Sequence, residues 1–178
     1  MPEKGKGYAM WYAIQVLTGQ ESLTITLIHA LIGENYYEDL FIPEKELLLQ
    51  KQGEWKKVKS LMFPGYIFAV TDHAEELFLQ LKTVPKLTKL LSVGEEIVPI
   101  SRWEELLLQE LTNQNHLAEF SSGFFEGDYL IIEKGPLSGK EALVRKIDRH
   151  KRTAMLEVEM FGQKIQIKMG LEVVRKAG

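Results

Sequence analysis

The densest reactive feature of this chain is basic. Residues 140–152 carry six lysines and arginines against two acids: Lys140, Arg145, Lys146, Arg149, Lys151 and Arg152 beside Glu141 and Asp148, with His150 among them. Ammonium groups make point contacts with phosphates, and guanidinium groups add planar, forked donors for base edges or stacking. A solvated polar turn is the alternative. The second feature is aromatic, the run Leu61-Met62-Phe63-Pro64-Gly65-Tyr66-Ile67-Phe68. Pro64-Gly65 bends the start of a strand, because proline fixes φ and glycine relieves steric limits. Side chains alternate along a strand, so Tyr66 and Phe68 share a face. That face either fills a core or is offered to a protein partner.

Covalent chemistry has little to work with. His29, His73, His116 and His150 are isolated, and no two are spaced for a zinc helix. No Gly-rich loop leads into Lys-Ser/Thr, and no Gly-x-Ser-x-Gly elbow occurs. The pairs Glu75-Glu76, Glu95-Glu96 and Glu104-Glu105 read as solvated faces or loops. The chain has no cysteine, which excludes disulfides, thiolate metal sites and cysteine nucleophiles. The expectation is a binding protein rather than an enzyme, with no metal and no cofactor.

These features need a frame to hold them. The chain has 178 residues, 45% of them hydrophobic, enough for one large domain or two small ones. A chain of this size buries roughly 70% of its unfolded surface. No apolar run approaches the roughly 20 residues of a membrane helix, and Met1 to Tyr8 is polar. A cytoplasmic protein with no membrane partner is expected. The net charge of −3 speaks against nucleic acid until it is divided. Residues 1–121 hold 11 basic and 17 acidic residues, whereas residues 122–178 hold 11 and 8. Such asymmetry points to two functional units.

Trp11–Leu17 reads as a buried strand, and Leu23, Leu27, Ile28, Leu31 and Ile32 as a helix that Gly33 ends. Leu40–Ile42 is a short apolar run stopped by Pro43, and Gln50–Lys59 reads as an exposed hairpin tip around Gly53. Ile67–Val70 and Ile97–Ile100 read as strands. Leu77, Phe78 and Leu81 mark a second helix, and Trp103, Leu106, Leu107 and Leu111 a third. Alternating strands and helices predict an α/β sandwich. Thr112–Gly123 is polar and reads as a linker. Beyond it, short strands are separated by turns at Gly135-Pro136, Ser138-Gly139, 148–152 and 161–163. Five strands in so short a stretch predict a small β-barrel.

The segment Glu126-Gly127-Asp128-Tyr129 through Gly135-Pro136, Gly139 and Ala142-Leu143-Val144 resembles the KOW motif. It follows the Phe63-Pro64-Gly65-Tyr66 strand, Trp11-Tyr12 opens the chain, and Met160-Phe161-Gly162 lies late. In that order the segments resemble the NusG family of transcription elongation factors over residues 10–176. The resemblance implies an α+β protein. An N-terminal NGN domain, an α/β sandwich with an antiparallel sheet and helices, is followed by a C-terminal KOW domain, an SH3-like β-barrel. The expected divisions are a tail at 1–9, NGN at 10–111, a linker at 112–123 and KOW at 124–178.

The resemblance also implies partners. Family members bind RNA polymerase at the clamp helices of its largest subunit. This assigns Tyr66 and Phe68 to a hydrophobic concavity, with Trp11, Phe63, Leu90 and Ile97 as further members. Thr71 and His73 fall where some paralogs touch the opposite jaw of polymerase. Polymerase would hold the protein at the nucleoid, as a monomer, with NusA as a further partner. After Gly135-Pro136 only Leu137-Ser138 stands before Gly139. The family's usual turn is longer and carries two aromatics that help contact ribosomal protein S10 and Rho, so the short turn argues against both. With the basic run, the pattern most resembles LoaP, the specialised antiterminator branch. That likeness implies an RNA hairpin in an operon leader as ligand, held by Lys140, Arg145, Lys146, Arg149, His150, Lys151, Arg152 and Lys164. The rival within the family is a housekeeping-type NusG coupling polymerase to S10 or Rho.

Overall fold

The computed structural model describes residues 8–84, 87–90, 92–93, 96–97 and 99–175, with side chains described outside 87–97. In chain order the elements are β1 (Met10–Val16), α1 (Glu21–Leu31), β2 (Asp39–Phe41), β3 (Glu44–Lys51), β4 (Glu54–Leu61), β5 (Tyr66–Thr71), α2 (Ala74–Leu81), β6 (Leu87–Leu90), β7 (Ser92–Val93) and β8 (Glu96–Ile97). Then follow α3 (Arg102–Leu111), β9 (Leu117–Ala118), β10 (Ser121–Glu126), β11 (Tyr129–Lys134), β12 (Val144–Asp148), β13 (Thr153–Met160) and β14 (Gln163–Val174). No helix among the described residues is long and apolar enough to cross a membrane.

The chain divides into two compact units. The first, Met1–Ile42 with Phe63–Glu105, contains a four-stranded antiparallel sheet in the order β2-β5-β1-β6. One face of that sheet carries Tyr12, Ile14 and Val16 of β1, Leu40 of β2, and Ile67 and Ala69 of β5. Helices α1 and α2 cover it with Ile28, Leu77 and Leu81, next to Ile32 just past the end of α1. The predicted helices at 23–32 and 77–81 are therefore present, but of the expected stripe on α1 only Leu27, Ile28 and Ile32 face this core, whereas Leu23 and Leu31 are exposed because the helix turns Thr24 and Ile28 inward.

Helix α1 begins with a buried acid. Glu21 is 3% exposed, and its carboxylate accepts hydrogen bonds from the Gly65 amide at 2.7 Å and the Gly19 amide at 3.0 Å. Burial opposes its ionisation, but the amides of Gly65, Glu21 and Gly19 outweigh it and hold the carboxyl below its ordinary value of 4.5. Gly65 sits at φ +87°, where a side chain is strained, and a Cβ there would meet the Thr18 hydroxyl at 3.0 Å. The Gly65 carbonyl in turn accepts from the Val16 amide at 2.8 Å. The kink at Pro64-Gly65 is thus clamped between the end of β1 and the start of α1.

The second unit, Pro43–Met62 with Leu106–Gly178, contains a five-stranded sheet ordered β11-β10-β14-β13-β12. Its inward face is apolar, with Ala154, Leu156, Val158 and Met160 on β13 and Ile167, Met169 and Leu171 on β14 all buried. The unit also holds β3 and β4, an eight-residue-stranded hairpin that turns only at Gln52-Gly53. Both turn residues have positive φ, the geometry that matches strand twist in a tight hairpin. Gln50–Lys59 is accordingly not all tip, since Glu54–Leu61 is strand.

The units follow the chain differently from the expected 10–111 and 124–178. The stretch expected as a linker, 112–123, is ordered: β9 pairs in parallel with β3, and β10 starts at Ser121. Polar residues make this order possible. The Asn113 side chain accepts from the Asn115 amide at 2.8 Å, the Glu44 amide donates to the His116 carbonyl at 2.9 Å, and Glu46 accepts from the Phe120 amide at 3.0 Å. Replacing Glu21 with Ala strands two amides and is expected to cost about 3 kcal/mol. Because the folded carboxyl is held low, its stabilisation is present above its ordinary value and lost as the pH falls through the folded one. The gap between Glu21→Ala and the wild type in urea midpoint should therefore be wide at pH 7 and narrow towards pH 3.

Candidate functional site

The second face of the four-stranded sheet is aromatic. Register pairs Ala13 with Phe68, and Phe68 with Phe41, so Trp11, Phe41, Tyr66 and Phe68 project away from the helices. Trp11 meets Phe41 edge-on with ring centroids 4.9 Å apart, Phe41 stacks on Phe68 at 5.6 Å, and Phe63 tilts over Phe68 at 6.0 Å. These distances suit the quadrupole attraction of aromatic pairs. Phe68 is 0% exposed, and Trp11, Phe41 and Phe63 are buried, while Tyr66 is half-buried. The predicted residues Trp11, Phe63, Tyr66 and Phe68 therefore lie together, with Phe41 as a fifth ring.

Thr71 and His73 sit elsewhere. Thr71 is buried at the end of β5, where its hydroxyl donates to the Tyr36 carbonyl at 2.6 Å and accepts from the His73 amide at 2.8 Å. It fixes the turn into α2, and His73 is the exposed residue beside it, with Nε2 3.3 Å from Asp72. Leu90 and Ile97 belong to strands β6 and β8, but their side chains lie outside the described residues.

The basic run folds as a short 3-10 turn (Glu141–Leu143), strand β12 and the turn into β13. Asp148 shapes that turn, accepting from the Lys151 amide at 2.9 Å. This bond and the neighbouring Lys151 and His150 hold its carboxyl below the ordinary carboxylate value. The basic side chains divide into engaged and outward-facing groups. Lys140 is ion-paired with Glu110. Arg145 donates to the Ala142 carbonyl at 2.7 Å and lies 4.0 Å from Glu157. Arg152, at φ +55°, stacks on the Trp55 ring at 4.4 Å and reaches Glu172 at 3.6 Å. Arg149 is exposed but lies over the Phe125 ring at 4.8 Å. Lys146, His150, Lys151 and Lys164 are exposed.

Lys146 pairs through Met155 with Lys168, a row across the outer face of β12, β13 and β14. There Lys146, Lys151 and Lys168 line a concavity of about 200 Å³ with Asp148, Thr153 and Met155. Hairpin β3–β4 belongs to this same unit, and β3 passes close to the next row: a Cβ on Gly170 would meet the Glu46 carbonyl oxygen at 2.6 Å. Gly170 is the residue that lets the backbones approach. From β3, Lys45 is 8% exposed, and burial together with the Lys168 charge lowers its pKa to about 8.

Known proteins agree with this architecture. A family model described as "Transcription termination factor nusG" matches residues 9–108, more than half of the chain. The chain belongs to the NusG family. It is 25% identical over 170 residues to the transcription termination/antitermination protein NusG of Campylobacter jejuni, covering 93% of this chain and 96% of the relative. To the NusG of Escherichia coli K12 it is 22% identical over 173 residues, covering 94% and 96%. Among solved structures, NusG of Thermotoga maritima, described under "Domain interaction", superposes with a TM-score of 0.56 at 17% identity, covering 91% of this chain and 93% of that one. That likeness speaks to the fold.

Sequence reasoning missed Phe41, Lys168 and Lys45. Lys168 was legible, because it alternates with Ile167 and Met169 on a strand whose other outward residues include Lys164. Lys45 was not, since only the fold brings β3 beside β14. The aromatic face yields a stability contrast. Phe68→Ala empties a fully buried site and should cost about 4 kcal/mol in urea unfolding. Tyr66→Ala removes a half-buried ring and should cost about 1–2 kcal/mol, leaving a folded protein for binding assays.

Proposed function

We propose that this NusG-family protein is a transcription antitermination and elongation factor of the LoaP type, with no catalytic step of its own. Its NGN domain, the α/β sandwich, binds RNA polymerase at the clamp helices of the largest subunit. Its KOW domain, an SH3-like barrel built on the five-stranded sheet, binds an RNA hairpin in the nascent operon leader. The observation that carries the RNA reading is the outward basic surface around Lys146, Arg149, His150, Lys151 and Lys164. Double-stranded RNA is read by shape and backbone, and its loops by stacking and forked donors, which suits lysines beside an arginine. Lys140, Arg145 and Arg152 act at the margin, since each already has a protein partner.

The aromatic face supports the polymerase reading. Half-buried Tyr66 offers the apolar contact for the clamp-helix tip, backed from beneath by the buried rings of Trp11, Phe63 and Phe68 and joined by Leu90 and Ile97, and the exposed His73, set by the buried Thr71, marks the second contact. Binding energy then favours the elongating polymerase only as far as the factor prefers that state. The short Gly135–Gly139 turn removes the aromatic contact for S10 and Rho, although Phe161 keeps a ring at the late hairpin. NusA is a further partner, and the factor acts as a cytoplasmic monomer.

Two measurements test this. Full-length protein should retain core RNA polymerase in a pulldown, and Tyr66→Ala should weaken capture at least five-fold. A pool of nascent leader RNAs selected on the full chain should yield stem-loops. Arg149→Glu with Lys151→Glu should lower affinity for the selected RNA about 100-fold at 0.1 M salt, as each lost phosphate contact removes about one unit of salt slope. Capture of S10 or Rho with no enrichment of hairpins would replace this reading with the housekeeping one.

A further inference from the structure

We propose that the outer face of the five-stranded sheet holds a phosphate-recognition site, formed by Lys146, Lys151 and Lys168 and completed by Lys45 of the β3–β4 hairpin. The phosphate comes from the backbone of a structured RNA, which rests on the RNA reading above. The site itself rests on geometry. Neighbouring strands lie about 4.8 Å apart, so Lys146 and Lys168, two strands apart in one row, have backbones about 10 Å apart. Their side chains can close on one phosphate or on two successive ones. Met155 lies between them, and Thr153 in the next row adds a hydroxyl. The concavity of about 200 Å³ is wide enough for a phosphate group.

Its charge is one-sided, with three lysines against Asp148. Asp148 is occupied by the Lys151 amide and serves to hold the turn. Glu157, on the same outer face, lies beside Arg145. Lys45 adds a fourth cation in an unusual setting. Among the described residues no hydrogen bond or ion pair to its ammonium is found, and both burial and Lys168 disfavour its charge. An anion beside Lys168 would relieve that repulsion and favour the charged form of Lys45. The hairpin is held in place for this task by the Trp55–Arg152 stack and by Glu46 on the Phe120 amide. The site draws one cation from a hairpin about 100 residues earlier in the chain than Lys146.

The test uses the full chain and three probes, a 20-base-pair stem-loop RNA, sodium tripolyphosphate and poly-glutamate. Lys168→Gln and Lys45→Met should each weaken stem-loop binding about five-fold at 0.1 M salt and lower the salt slope by about one. Tripolyphosphate should shift the amide resonances of Thr153 and Lys168 in the wild type and not in Lys168→Gln. Circular dichroism checks that both variants fold; Lys168 is exposed, so at least that variant remains informative. Unchanged affinity and slope in Lys168→Gln would overturn the proposal, while loss in Arg149→Glu, which lies outside the site, would leave the RNA reading intact. Resonance shifts with tripolyphosphate but no RNA binding by the wild type would keep the site and sink the RNA source. Equal shifts with poly-glutamate would overturn phosphate in favour of a carboxylate-rich partner, and no response to any of the three probes would end both readings.

Discussion

The Glu21 carboxylate is the constraint on which the first unit turns. It is a buried charge, and a buried charge is tolerated only when its lone pairs are filled. Here the amides of Gly19 and Gly65 fill them, one from the loop after β1 and the other from the kink before β5. Those two central strands therefore start and end at fixed points relative to α1. The register that follows sends Ile14, Ile67 and Ala69 to the helices and Trp11 and Phe68 to the opposite side. A one-residue slip would exchange the two faces. The aromatic face thus depends on an acid that touches none of its rings.

The second unit depends on close backbone approach. Gly170 has no side chain, and the space a Cβ would take is filled by Glu46 and Phe120. That allows β3 to pass beside β14 and carries a whole hairpin into the C-terminal unit. The hairpin brings five lysines against three glutamates. The division of charge seen along the sequence is consequently a division between units only after the hairpin is moved. Arg152 shows the same constraint from the other side. It lies in the middle of the basic run, yet its guanidinium is spent on Trp55 and Glu172. A run of basic letters overstates the cations that face solvent.

Much of the fold was legible because its signals are local. Period-two alternation found β13 and β14, and helical spacing found α1, α2 and α3. The Gly-Pro and Pro-Gly punctuation marked the turns that carry the family likeness. The ordered 112–123 segment was not legible, because its order comes from distant partners, namely His116 with Glu44 and Phe120 with Glu46. Polar residues look like a linker until the acceptors that satisfy their backbone are known. The candidate sites divide in the same way. Tyr66 and Phe68 share a face by strand geometry alone, but Phe41 joins them only through the pairing of β2 with β5.

Lys45 sharpens what such non-local placement can do. In the sequence it is one lysine between two glutamates, Glu44 and Glu46, and alternation sends it to the face opposite theirs. Glu46 is already committed to the Phe120 amide, so it cannot turn to neutralise its neighbour. The side chain is largely buried within range of the Lys168 charge, and both effects disfavour its charged form. A methionine of similar length would remove both. The same two charges that repel in the free protein become a pincer once a phosphate is bound.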